Sequence, residues 1–177
     1  PKTVKANGTQ IVSAAKYTAL GELTQLQQGP DGKRVWQTTY YEEGTRRLSD
    51  TLVERETQTD VQTDQVVYAY DPIGNVKKIE TKTAGATLDR QCMAYDGMRR
   101  LREAWTSTSD CAAPGAAIGG PAPYWNSYQP DAIGRRTSQT QHGINGASDT
   151  VTTTTYPASG QPQPHAPETV SVSGPAR

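Results

Sequence analysis

The chain has 177 residues, 18 basic and 18 acidic side chains, and a formal net charge of zero, which gives it no general attraction for nucleic acid or an acidic membrane surface. No apolar run approaches the ~18 residues of a spanning helix. Six Ile, seven Leu, eleven Val and no Phe fall below the roughly 20% that accompanies a densely packed interior, while nine Tyr, three Trp and 24 Thr at zero net charge argue against disorder and for strands.

In chain order, the first element is a strand running into YTALGEL at 17–23, followed by a connecting turn in QGPDGK at 28–33. The next strand holds Trp36 and Tyr40 and enters YYEEGTR at 40–46. QVVYAY then alternates Val66, Tyr68 and Tyr70 on one face with Val67 and Ala69 on the other, the period of a strand. It leads into YDPIGNV at 70–76. Here Asp71, Pro72 and Gly74 occupy the first, second and fourth places of a type I turn, which favours these residues there. Glycine can also supply the left-handed conformation that closes such a hairpin with a bulge. A returning strand over 75–82 reaches the turn KTAGAT at 82–87. The strand with Met93 and Tyr95 enters YDGMRRL at 95–101, and a Pro- and Gly-rich loop, DCAAPGAAIGGPAP, fills 110–123. Tyr124 and Tyr128 precede PDAIGRR at 130–136, HGINGAS turns at 142–148, and Tyr156 opens YPASGQP. The remainder, 161–177, reads as an irregular Pro- and Gly-rich continuation of a repeat sheet spanning 1–160.

Six degenerate copies of one unit are therefore visible, anchored at Gly21, Gly44, Gly74, Arg99, Gly134 and Gly160, with Tyr17, Tyr40, Tyr70, Tyr95 and Tyr156 before the turns and Asp71, Asp96 and Asp131 opening three of them. Thr18, Tyr41 and Pro157 stand where the other copies carry aspartate. A catalytic or metal-binding carboxylate does not tolerate such loss, but a turn does. Strand, turn, strand and connecting turn make an antiparallel meander. The recurring rings predict an aromatic stripe in which cross-strand pairs add about 0.2–1 kcal/mol each.

These residues resemble the YD repeats of the Rhs family, which also includes teneurins and the B and C components of bacterial toxin complexes. YAYDPIGN, AYDGMRRL and DAIGRRTS lie close to the family pattern of tyrosine, aspartate, two variable residues and glycine. QCMAYDGMRRLREAWT, followed by DC and GGPAPYW, is similar to the version in large secreted actinobacterial Rhs proteins. The resemblance covers nearly the whole chain and is strongest from Tyr68 through Tyr156. It implies an all-β antiparallel sheet spiralling into a hollow shell, which in many members encloses a C-terminal toxin released by a self-cleaving core domain. DPIG at 71–74 lacks the context of that core and reads as an ordinary repeat turn. The implied partners are neighbouring repeats and an enclosed toxin domain, in a secreted or cell-surface protein. The chain opens at Pro1 without methionine or a leader pattern and reads as a piece of something longer.

In an exported protein, Cys92 and Cys111 read as a disulfide, the alternative being two reduced, buried cysteines. A structural zinc site would want about four ligands, and His142 and His165 lie far along the chain in Gly- or Pro-rich stretches where exposure is the ordinary expectation. The pairs Arg46–Arg47, Lys77–Lys78, Arg99–Arg100 and Arg135–Arg136 split between the two faces of a strand and read as solvated charges. No HExxH, GxSxG, P-loop or dinucleotide fingerprint occurs, so neither enzyme, metal nor cofactor is expected. The second reading is an extracellular carbohydrate-binding or adhesion module, with Trp36, Trp105 and Trp125 stacking on glycans.

Overall fold

The computed structural model describes residues 3–57 and 62–175. Among these residues it contains strands and turns only. The strands are β1 (Val4–Ala6), β2 (Thr9–Tyr17), β3 (Leu23–Gln28), β4 (Val35–Tyr41), β5 (Leu48–Arg55), β6 (Gln62–Tyr70) and β7 (Val76–Thr83), then β8 (Ala86–Tyr95), β9 (Leu101–Thr106), β10 (Trp125–Pro130), β11 (Arg136–Gln141), β12 (Thr150–Thr155) and β13 (Thr169–Ser173). They hydrogen-bond in sequence order as one 13-stranded sheet, and neighbours run antiparallel, as β4 on β5 and β10 on β11 illustrate. The fold is an all-β antiparallel meander, as the repeat predicts. Local contacts suffice to build it, because each strand needs only its chain neighbours.

The connecting turns sit at the expected Gly-containing stretches. Ala84 and Gly85 both take positive φ (49° and 79°), as do Asn145 and Gly146 (57° and 84°). Two successive left-handed residues set the twist that a tight hairpin needs.

The chain divides into two compact units, residues 1–69 with 79–88, and residues 70–78 with 89–177. The first has no fully buried apolar side chain among its described residues; β1 is exposed, β3, β4 and β5 are mostly half-buried, and its buried polar group, Glu80, accepts a hydrogen bond from Thr87 Oγ1 at 2.8 Å. This matches the shortage of aliphatic residues.

The second unit holds the core. Cys92, Ala104 and Trp105 are buried together with Thr106 and Ser107. Cys92 lies opposite Trp105 on the neighbouring strand, and Trp105 lies opposite Trp125 on the next. The connection 107–124 is fastened by Ser107 N–H to the Arg90 carbonyl (2.9 Å), Thr106 N–H to the Tyr124 carbonyl (3.0 Å) and Thr108 N–H to the Ala117 carbonyl (2.9 Å). Cys92 and Cys111 form the expected disulfide, with Cα atoms 5.5 Å apart, so the Pro- and Gly-rich loop is clipped to β8. Gly115 has φ +74°, and a Cβ there would lie 2.6 Å from the Trp125 ring. Only glycine lets the loop come this close.

Within the Pro-rich tail, Thr169–Ser173 pairs with β12 in continuous register from Thr155↔Thr169 to Val151↔Ser173. Threonine and valine dominate that stretch, and their β preference overrides the loop-like composition before it.

Candidate functional site

The recurrent feature of the molecule is the row of turns that interrupts the strands. In the third copy, Gly74 N–H donates to the Asp71 carbonyl (3.0 Å) and Asp71 N–H to the Asn75 carbonyl (2.9 Å), with Gly74 at φ 96°. The same pair of bonds recurs at Thr18–Glu22, Asp96–Arg100 and Asp131–Arg135, with Gly21, Arg99 and Gly134 in the left-handed position. In all of these whose register is resolved, the ladder shifts by one residue just before the turn, at Tyr17, Tyr95 and Pro130. The unit is a type I turn closed by a bulge.

The aspartates organise their turns from within. Asp71 Oδ1 accepts from the N–H groups of Ile73 (3.1 Å) and Asn75 (2.8 Å), and its Oδ2 from Asn75 Nδ2 (2.8 Å). Asp96 accepts from Met98 N–H (2.9 Å), Arg100 N–H (3.0 Å) and Arg100 Nε (2.7 Å). Asp131 accepts from Ile133 N–H (3.1 Å), Arg135 N–H (2.9 Å) and Arg135 Nε (2.6 Å). Thr18 does the same with its hydroxyl, accepting from Leu20 and Glu22 N–H groups at 3.2 Å each. This explains why threonine substitutes for aspartate.

All three carboxyls are held below the usual range. At Asp96 the hydrogen bond from the Arg100 backbone is the main cause. At Asp71 and Asp131 desolvation pushes upward and is outweighed, by the bonds from Asn75 and by the Arg135 guanidinium and N–H respectively.

Bonds also run from turn to turn. Tyr41 OH donates to the Leu23 carbonyl (3.2 Å), Tyr95 OH to the Val76 carbonyl (3.0 Å) and Tyr156 OH to the Arg136 carbonyl (3.0 Å). In each case the tyrosine before one turn reaches the second residue past the left-handed position of the preceding turn. Burial, then the charge of Asp71, keep the Tyr95 phenol above its ordinary pKa, so it stays a donor at neutral pH. Arginines add a second set of links. Arg46 and Arg99, both left-handed (φ 59° and 65°), reach back to Glu22 (Nε to Oε1, 3.2 Å) and to Asn75 (Nε to Oδ1, 3.1 Å). Arg100 and Arg135 reach forward to the Asp131 carbonyl (2.7 Å) and the Pro157 carbonyl (3.4 Å). Arg135 also cradles the Tyr156 ring, 4.8 Å from its centroid. Arg46, Arg99, Arg100 and Arg135 are therefore rivets between neighbouring hairpins, while Lys77 and Arg136 are exposed, as expected of solvated charges. The residue pattern hides this, since an arginine in place of the glycine looks like decay of the motif.

Several positions differ from expectation. In the second copy the left-handed residue is Arg46, not Gly44, because this loop is one residue longer and closes from Glu42 N–H to the Arg47 carbonyl (2.8 Å). The structural tyrosine there is accordingly Tyr41, whose hydroxyl is bonded, not the exposed Tyr40. In the sixth copy Gly160 is left-handed (φ 82°) but lies in the longer connection 157–168, where Gln161 N–H bonds the Ala158 carbonyl (3.1 Å). Tyr17 and Tyr70 end β2 and β6 directly before their turns. The tyrosines whose roles are visible act through hydroxyls, not by the ring stacking that a stripe implies.

The three tryptophans expected to stack on glycans have different settings. Trp105 is 2% exposed, which removes it from any glycan. Trp125 stacks on His142 (centroids 3.7 Å apart) and donates its indole N–H to Glu103 Oε2 (2.8 Å). Trp36 Nε1 donates to Gln27 Oε1 (3.1 Å).

His142, expected to be exposed, is instead fixed by three neighbours. Its Nε2 lies 2.5 Å from Ser127 Oγ and its Nδ1 3.2 Å from Asp149 Oδ2. Ser127 Oγ is also 2.7 Å from Glu103 Oε2, and Asp149 Oδ1 accepts from Gly143 N–H (2.7 Å). The contacts run in the order of a serine, histidine and acid relay, but the single hydroxyl proton is contested by Glu103, and the Trp125 ring lies stacked on the imidazole. The cluster ties β9 and β10 to the 142–149 turn. Among the described residues no group of three or more His, Cys, Asp or Glu is placed to hold a metal, and no helix is long and apolar enough to cross a membrane.

The fold has counterparts of known structure. The TcdB2-TccC3 crystal structure matches with a TM-score of 0.67 at 20% identity, and a form lacking the hypervariable C-terminal region matches with 0.67 at 21%. The Tc holotoxin pore of Photorhabdus luminescens matches with 0.67 at 20%. The chain has the fold of these toxin-complex proteins. The match covers 87% of the present chain and 8% of each of theirs, and it is the fold that the resemblance to the YD repeats implies. No family model and no curated protein matches the chain.

Proposed function

We propose that these residues are a wall segment of a larger Rhs-type shell, structural rather than catalytic, in a secreted or cell-surface protein. The shell would enclose or scaffold a partner, with a toxin domain as the foremost candidate. One observation carries the reading: the residues that define the repeat are spent on joining each hairpin to the next, through Tyr95 to Val76, Arg99 to Asn75, Arg100 to Asp131 and Tyr156 to Arg136. A wall needs this kind of lateral continuity. A binding module would instead gather its recurring residues around one pocket. The Cys92–Cys111 disulfide supports an oxidising compartment, and the matched structures support the architecture.

The test is electron cryomicroscopy of the parent protein with limited proteolysis alongside. The reading predicts residues 70–156 within a continuous sheet surrounding internal density, and an enclosed domain that resists protease until the wall is opened. An isolated domain on a linker, with no enclosed partner, would overturn it.

A further inference from the structure

One junction in the row of turns lacks its tyrosine. Between β3 and β4 the ladder stops at Gln25, and Tyr41 takes the Leu23 carbonyl beyond it. Between β11 and β12 it stops at Ser138, and Tyr156 takes the Arg136 carbonyl. Between β9 and β10 it stops at Glu103. By the same spacing the carbonyl beyond belongs to Leu101, and the residue before the next turn is Pro130, which has no hydroxyl to offer. At this place the molecule has a cavity of about 350 Å3 lined by Arg100, Leu101, Tyr128, Pro130, Gly134 and Arg136.

We propose that this cavity is a vacated tyrosine socket, which binds a 4-hydroxyphenyl ring carrying an anionic group. The ring would take the place that Tyr41 and Tyr156 fill at the equivalent junctions, with its hydroxyl donating to the Leu101 carbonyl. Pro130, Tyr128 and the Leu101 side chain supply apolar wall, and the exposed Arg136 guanidinium supplies a partner for a carboxylate. Arg100 is committed to Asp96 and to the Asp131 carbonyl, so it shapes the socket and Arg136 selects the charge. The volume falls in the roughly 300–1,000 Å3 range of small-molecule sites. The ligand has two sources of the same chemistry, a free 4-hydroxyphenyl carboxylic acid or a tyrosine beside an acidic residue in a peptide.

Titration of the full chain by calorimetry and amide-resolved NMR separates these outcomes. The probes are 4-hydroxyphenylacetate, phenylacetate, 4-hydroxyphenethyl alcohol and N-acetyl-Tyr-Asp. The socket predicts saturable binding of 4-hydroxyphenylacetate with shifts at Leu101, Gly134 and Arg136, and about tenfold weaker binding of phenylacetate, which cannot reach the carbonyl. Whichever of the acid or the dipeptide binds more tightly identifies the source. Arg136→Gln should weaken the acid about tenfold and leave the alcohol unchanged. Pro130→Tyr should fill the socket, abolish binding and raise Tm by about 2–4 °C. Shifts located elsewhere, equal affinity for phenylacetate, or no binding by the Arg136-intact chain at millimolar acid would overturn the proposal, whether or not Pro130→Tyr folds.

Discussion

At the scale of single residues, the aspartate of the turn is a hydrogen-bond acceptor whose value depends on its charge. Unfolded carboxyls titrate near 3.9, and Asp71, Asp96 and Asp131 are held lower in the folded chain. Their stabilisation is therefore complete above the unfolded value and is lost as pH falls through the folded values. Denaturant midpoints measured between about pH 5 and 2 should fall on acidification, and the double replacement Asp96→Asn with Asp131→Asn should flatten that slope. An unchanged slope would remove these carboxylates from the account. Arg99 offers a second test, because its left-handed backbone disfavours any side chain while its guanidinium holds Asn75. Both Arg99→Ala and Arg99→Gly lose the bond, but only alanine keeps the conformational penalty. Urea melts should place the alanine variant about 1 kcal/mol below the glycine variant.

At the scale of elements, the bond from each tyrosine to the preceding hairpin is a discrete contribution. Tyr95→Phe keeps the ring and removes the hydroxyl that reaches Val76, at an expected cost of about 1 kcal/mol in chemical denaturation. The 107–124 connection is an element without regular structure, held by a covalent clip and a close approach. Breaking the Cys92–Cys111 bridge by the double serine replacement should cost about 3 kcal/mol on the loop-entropy account. Gly115→Ala should lower Tm as well, because a Cβ there would meet both a positive φ and the Trp125 ring. The strands and turns were legible in the residues because the repeat states them several times, and alternation of Val66, Tyr68 and Tyr70 needs no tertiary information. The rivets were not. Arg46 and Arg99 each bond a residue 24 positions earlier, and nothing local in the sequence distinguishes a left-handed arginine that reaches back from one that has merely replaced a glycine. The misassignment of Gly44 has the same origin: the turn opens one residue later, after Tyr41, and is one residue longer, which together move the left-handed position to Arg46, and glycine alone could not signal it. His142 was missed because its partners, Ser127, Asp149 and the Trp125 ring, converge only once β10 and the 142–149 turn are in place.

At the scale of the whole molecule, a 13-stranded sheet in chain order leaves β1 and β13 at its two ends, paired with β2 and β12 respectively. Every residue of β13 is exposed, Val170 and Val172 included, and such an edge invites pairing with another strand. Purified alone, the chain should associate in a concentration-dependent way by sedimentation, and Val172→Lys should shift it toward monomer. Composition anticipated this architecture in one respect: with so few aliphatic residues, the first unit has no fully buried apolar side chain among its described residues. The claim on which the account rests is that the Tyr-Asp unit joins neighbours instead of merely reversing the chain. Residue-resolved amide hydrogen exchange on Tyr95→Phe tests it most directly. Faster exchange is expected in the preceding hairpin, at residues 74–78, together with 96–100; acceleration confined to 96–100, with the preceding hairpin unaffected, would mean that the unit only reverses the chain.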